Sequence, residues 1–258
     1  MGSVSEVRAE LLELAHFLGD ARQMAIFGEG NVSGKLDSGF FLVKASGTSL
    51  STLTEDELVE VRARSLVDAV EDASPMIDEE ANKLLLDSRQ HSYALKPSVE
   101  TMFHAWLLTL PGVAYVGHVH ARAVSALMCS AHAEKFALHR LVPDQVVYTG
   151  PSSVIVPYVD PGIVLARHIA EAVRTYRTAT GHVPKTILLK NHGIIALGGT
   201  AQEVAAALSM AEKAARIYLD AAVLGPPIFM EASEVVRIAG RSDEHYRQAM
   251  LSRIESPK

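Results

Sequence analysis

Three histidines and one glutamate carry the chemistry this sequence can do. In Gly117-His118-Val119-His120-Ala121 two imidazoles stand two residues apart. The apolar run over 113–120 predicts a buried strand, and on a strand both side chains leave the same face, as two ligands of one ion must. A third histidine, His192, lies in Asn191-His192-Gly193 between two apolar runs, where glycine lets the backbone turn sharply and the imidazole enter a cleft. Three imidazoles leave an open position on a divalent ion, which a Lewis acid needs if substrate oxygens are to reach it. The other reading of the same residues is structural: a hydrogen-bonded histidine pair at a strand end, and a His192 that caps a turn.

Glu100 follows Pro97 and Ser98 at a predicted helix start. Its carboxylate either complements the helix dipole or, if the helix start faces an ion, is a fourth ligand that becomes a base once substrate displaces it. Two glycine-rich turns, GEGN at 28–31 and ASGTS at 45–49, together with Ser98, can present N–H groups and hydroxyls to a phosphate or carboxylate. Tyr218 and Glu212, on a long alanine-rich segment, read as a packing residue and a surface-pair residue.

These residues need elements to hold them. Val7, Leu11, Leu14 and Leu18 recur at helical spacing behind Ser3 and Ser5, which predicts an amphipathic helix ending at Gly19. Two glycine turns flank a short strand over Phe40–Val43. Thr54 with Glu55, Asp56 and Glu57 marks a capped helix start, 58–61 a strand, and a polar stretch runs on through Glu71 to Pro75. Helices are predicted over 76–90 and 97–110, then the strand ending at His120 and a helix from about Ala121. Downstream come a strand in 152–159, a helix over 161–179, two short strands around His192 in 186–198, and a helix over 201–224. Strand and helix alternate into a layered α/β structure, a single domain over 1–258 with a C-terminal arm from about 226. Tyr246 in that arm is a candidate to reach a neighbouring subunit's site.

The composition narrows the function classes. With 258 residues, 48% of them hydrophobic, the chain can bury a core without disulfides. A net charge of −6 with no basic block gives no footprint for nucleic acid or an anionic membrane. The first residues have neither the charge pattern of a signal peptide nor the apolar length of a membrane span. Cys129, the lone cysteine, sits in the run SALMC and reads as a small buried hydrophobe, consistent with a reducing cytoplasm. GEGNVSGKL lacks the spacing and downstream context of a dinucleotide-binding G-x-G-x-x-G, which excludes a Rossmann oxidoreductase.

Taken in order, GEGNVS, KASGTS, KPSVE, GHVHA and LLKNHGIIALG resemble the signatures of the class II aldolase/adducin family, which includes fuculose-phosphate and rhamnulose-phosphate aldolases. The resemblance runs from about Ser5 to Gly225, and KASGT and SVET look closest to the aldolase part of larger bacterial sugar aldolase–dehydrogenase proteins. It implies a three-layer α/β/α sandwich around a central, mostly antiparallel sheet, assembled as a homotetramer. It implies His118, His120 and His192 as ligands of a divalent metal, most often Zn2+, with Mn2+, Co2+ or Fe2+ as alternatives. It makes Glu100 the acid/base and puts Gly30, Asn31, Ser46, Gly47 and Ser98 around the anionic end of a sugar or sugar-acid substrate. Two departures weaken a phosphate pocket: Glu29 stands where many phosphate-binding members have a small or hydroxyl residue, and Val99 where they have a second serine. Glu29 is then placed to hydrogen-bond sugar hydroxyls.

The implied reaction is retro-aldol cleavage through a metal-stabilised enediolate, with Glu100 shuttling the proton. The same logic serves an epimerase, a dehydratase or a decarboxylase, and ferrous iron on three imidazoles would suit an oxygenase. Adducin-like scaffolding proteins are expected to lack the full set of three histidines and Glu100.

Overall fold

The computed structural model describes residues 3–241. The site is built on a seven-stranded sheet of order β3-β2-β1-β4-β7-β6-β5, antiparallel throughout except where β5 pairs with β6. The strands are β1 (Asn31–Lys35), β2 (Phe40–Lys44), β3 (Leu58–Arg62), β4 (Tyr115–Val119), β5 (Val154–Val156), β6 (Thr186–Leu189) and β7 (Gly193–Gly198). The helices are α1 (Val4–His16), α2 (Ala63–Glu71), α3 (Asp78–Asp87), α4 (Thr101–Leu107), α5 (Arg122–Met128), α6 (Ala133–Leu138), α7 (Pro143–Thr149), α8 (Ile163–Thr180), α9 (Ala201–Leu224) and α10 (Ala232–Ala239). They cover both faces of the sheet, giving the expected three-layer α/β/α architecture.

Two apolar cores form because alternate residues of each strand point to opposite faces. On one face Val32, Leu42 and Val119 pack with residues of α1, α5 and α9. On the other, Phe41, Val43, Val61 and Val116 pack with residues of α2, α4 and α8. The first helix shows what holds such an element. Ser3 and Glu6 form a reciprocal capping box, and Val7, Leu11, Leu14 and Leu18 are all buried. A cap is worth about 1 kcal/mol and each buried aliphatic side chain about 1.5–3 kcal/mol, so burial dominates. The helix proper ends at His16 and continues as a π turn, Phe17–Ala21, which carries the chain through Gly19.

Several expectations need correcting. The Asn31–Lys35 segment, read as loop, is a central strand. Thr54–Glu57 makes one 3-10 turn that leads into β3, and the polar-looking 63–71 stretch is helix α2. The latter puts Leu66, Ala69 and Val70 on its buried side. The helix expected from Pro97 begins only at Thr101, with Glu100 at its N-cap position. Cys129 is exposed at the end of α5. Within the arm, α10 lies on α7, where Val235 and Ile238 meet Val146; Tyr246 lies outside the described residues. No helix among the described residues is long and apolar enough to cross a membrane.

Candidate metal centre

His118 lies near the end of β4 and is fully buried. It shares a sheet face with Asn31, its direct partner on β1, and looks toward α4, where the Phe103 ring meets it edge-on at 5.9 Å. His118 Nδ1–H donates to Ile194 O at 3.0 Å, which leaves the Nε2 lone pair for the site. His120 follows one strand repeat later, and its Nε2 is 3.2 Å from His118 Nε2. His192 ends the short link between β6 and β7, in which Asn191 takes a left-handed backbone at φ 54. Gly193 has to be glycine: a Cβ there would stand 2.4 Å from Val119 O and 2.9 Å from the His120 ring. The three imidazole centroids lie 4.8–5.0 Å apart, and one ligand atom from each falls within 4.8 Å of the others.

Glu100 closes the group. Its Oε2 lies 3.6 Å from His118 Nε2 and its Oε1 3.5 Å from His192 Nε2. Asn31 Nδ2 donates to Oε2 at 2.7 Å, whereas the buried Oε1 has no hydrogen-bond partner among the described residues. Behind Asn31 runs a polar chain that was not anticipated: His104 Nε2–H donates to Asn31 Oδ1, and Ser33 Oγ meets His104 Nδ1 at 2.7 Å. An amide oxygen only accepts, so His104 carries its proton on Nε2 and Ser33 O–H donates to Nδ1.

The electrostatics favour neutral imidazoles. Burial, reinforced by the neighbouring His120, pushes His118 down to about 3. Burial and His118 take His192 down to about 4, against the pull of Glu100. His104 is held well below the ordinary histidine range by burial and then by His118. Metal binding requires unprotonated nitrogen, and at His118 and His192 burial already disfavours the proton.

The donor set fits a divalent cation. Two Zn–N bonds of about 2.05 Å at a tetrahedral angle put their nitrogens roughly 3.3 Å apart, close to the 3.2 Å between His118 and His120. A cation among these groups would also answer the orphaned oxygen of Glu100.

The expected substrate residues lie on loops that are tied to one another and to the segment leading to Glu100. The Lys44 ammonium is buried and donates to Gly28 O at 3.4 Å, Ala45 O at 3.3 Å and Thr48 O at 2.7 Å, tying the two glycine turns together. Burial takes Lys44 down to about 8, against the pull of Glu100 and Glu57. Ala45 bridges Pro97, and Ser46 N–H donates to Lys96 O, so the KPS segment joins the same loops. Ser98 Oγ accepts from Glu100 N–H at 3.3 Å and lies 3.4 Å from Asn31 Nδ2. Ser46 and Gly47 are exposed at their turn, whereas the Asn31 amide, 2% exposed, is taken up by Glu100 and His104. Gly30, at φ +68, brings the chain within reach of His118 O, where a Cβ would collide at 2.7 Å. Glu29 Oε1 lies 3.6 Å from His120 Nδ1.

Glu212 is not the surface residue expected. It is buried and accepts from Ala123 N–H at 3.0 Å and Val124 N–H at 3.2 Å, while also pairing with Arg216. It thereby fixes the start of α5, two residues after His120. Tyr218 is buried, as a packing residue should be.

A layered sheet with a histidine-carboxylate cluster at its β1, β4 and β7 ends makes this an α/β protein with a candidate metal centre. The family model for the class II aldolase and adducin N-terminal domain matches residues 9–219, and the chain belongs to that family. It is 27% identical over 207 residues to the uncharacterized oxidoreductase YuxG of Bacillus subtilis; the match covers 75% of this chain and 27% of YuxG. The chain thus spans about a quarter of the length of that relative. Among solved structures, an L-fuculose 1-phosphate aldolase superposes with a TM-score of 0.70 at 18% identity, covering 92% of this chain and 96% of that one. YgbL from Escherichia coli, a candidate aldolase/epimerase/decarboxylase, does so with a TM-score of 0.67 at 22% identity, covering 91% and 98%. At these identities the likeness is one of fold.

Proposed function

We propose that the protein is a divalent-metal-dependent lyase that splits a ketose or sugar-acid substrate by retro-aldol cleavage, with His118, His120 and His192 as the metal ligands and Glu100 as the proton carrier. One observation supports this above the rest: three imidazoles converge on one another within 4.8 Å, and beside His192 lies a buried Glu100 oxygen that has no hydrogen-bond partner among the described residues. When bound, the ion supplies Lewis acidity to the carbonyl and neighbouring hydroxyl oxygens of the substrate.

The chain's own residues do the rest. Glu100 Oε1 is free to hold a proton and deliver it to the carbon that keeps the electron pair when the carbon–carbon bond breaks. Asn31 holds the other oxygen at 2.7 Å, so the proton has one place to reside. Ser46, Gly47 and Ser98 line the loops beside the metal ligands and position the substrate's far end. A carboxylate that adds and removes a proton at carbon also serves epimerisation, and the mixed description of YgbL keeps that second reading alive. Zinc is the ion three imidazoles favour, ahead of manganese, cobalt or ferrous iron. We place the enzyme in the cytoplasm as a homotetramer acting on a small molecule; light scattering tests the assembly.

Elemental analysis of chelator-free protein tests the reading first. About one divalent ion per chain is expected, lost in His120→Ala and retained in Glu100→Gln, which should lose turnover by ~100-fold or more. Protein that binds no ion after reconstitution with each candidate metal sinks the proposal. Iron with oxygen uptake replaces it with an oxygenase.

A further inference from the structure

Glu29 stands where the two glycine turns meet. Its Oε2 accepts from Ile26 N–H at 3.0 Å and its own N–H donates to Ile26 O at 3.0 Å, closing the loop through Phe27 at φ 51. The carboxylate is thus held by its own loop. Its other oxygen lies 3.6 Å from His120 Nδ1, the ring nitrogen opposite the Nε2 that faces His118. At 3.6 Å the carboxylate acts on the ring through its charge, and a negative charge behind a ligating imidazole raises its basicity.

The same carboxylate stands beside the turns that would otherwise cradle an anion. Next to it, a Cβ on Gly28 would stand 3.9 Å from Thr48 O, so the two turns adjoin. The donors there are mostly engaged: Lys44 with three carbonyls, the Ser46 N–H with Lys96 O, and the Asn31 amide with Glu100. A phosphate dianion between the turns would meet the fixed negative charge of Glu29, while the nearby ammonium is already directed at carbonyl oxygens.

We infer that Glu29 is the specificity-determining residue of this site: it orients His120 from behind and excludes phosphate, leaving the turns to a substrate whose far end is a neutral hydroxyl. The site therefore takes non-phosphorylated, polyhydroxylated substrates, an assignment that rests on the metal-centre reading above. Hydroxyl groups can donate to the Glu29 carboxylate, which a phosphate dianion does not.

Glu29→Gln removes the charge and keeps an oxygen for the Ile26 N–H, so the loop has what it needs to persist; an unchanged melting temperature checks this. Two titrations decide the inference: cobalt(II) into metal-free protein, and inorganic phosphate into zinc-loaded protein. Relative to the parent, Glu29→Gln should bind cobalt roughly tenfold more weakly, in line with other losses of a carboxylate behind a ligand. Its affinity for phosphate should rise by about tenfold or more, and Glu29→Asp, which keeps the charge, should continue to reject phosphate. A gain in anion binding is a change that simple loss of structure would not produce. If both proteins hold cobalt and either affinity is unmoved by Glu29→Gln, this inference is overturned while the metal centre stands. If the parent protein takes up no metal, the metal-centre reading falls and this one falls with it.

Discussion

Glu100 is buried beside three imidazoles, and its behaviour is set by which of its oxygens has a partner. Oε2 accepts from Asn31, and Asn31 is itself held by His104 and, through it, by Ser33. Truncating Asn31 to Ala should leave the metal in place, since none of the three histidines depends on it. It strands the His104 Nε2–H and frees Glu100 to rotate. A buried donor without a partner costs about 1–3 kcal/mol, which denaturant unfolding should register, and turnover should fall roughly 10- to 100-fold if the carboxylate loses its aim. Full turnover with metal bound would show that Asn31 does not position Glu100. Much of this was legible in the sequence, because His118 and His120 announce themselves by strand spacing and Glu100 by its place after Pro97-Ser98. The supporting chain was also within reach. Ser33 lies two residues from Asn31 on one strand face and His104 four residues from Glu100 on one helix side, but both relations become visible only once β1 and α4 are known to face each other.

At the scale of elements, the histidines are only as fixed as the chain that leaves them. β4 delivers His118 and His120, and α5 starts at Arg122, where the Ala123 and Val124 N–H groups meet the buried Glu212 carboxylate of α9. A helix N-terminus normally takes its cap from the preceding residue, and here that residue is Ala121, with no side chain to offer. Glu212→Ala should therefore leave two N–H groups unpaired and cost about 2 kcal/mol. In a chain of this size that lowers the melting temperature by roughly 4–8 °C. Because the frayed turn begins just after His120, cobalt(II) affinity should weaken in parallel. A variant that melts like the parent and binds metal equally well would show that α5 needs no cap. Glu212 was hidden because a glutamate four residues before an arginine on a helix looks like an ordinary surface pair. The strand β1 was hidden for a different reason: Asn31, Ser33 and Gly34 are poor strand formers, and only pairing on both sides with β2 and β4 makes the segment extended.

The whole molecule holds buried and half-buried histidines neutral, and its stability must reflect that. His118 and His192 lie at about 3 and 4, and His104 well below the ordinary value of 6.5, in each case chiefly through burial. In the unfolded chain the same imidazoles titrate near 6.5. Between pH 6.5 and about 4 the unfolded state therefore binds more protons than the folded one, and stability falls as pH falls through that window. Metal-free protein should show a denaturation midpoint that declines steadily from pH 7 to pH 5, before the acidic groups that the fold holds low begin to protonate. Bound metal raises stability by mass action at the folded site, and because folded His118 and His192 stay unprotonated down to about 4, protons compete little with the ion there between pH 7.5 and pH 5. Saturating zinc should thus raise the midpoint at pH 5 as well as at pH 7.5. A metal-free midpoint that stays flat from pH 7 to pH 5 would mean that these histidines gain protons as easily in the folded protein as outside it. The converging ring nitrogens would then owe their arrangement to protonated partners rather than to readiness for a cation.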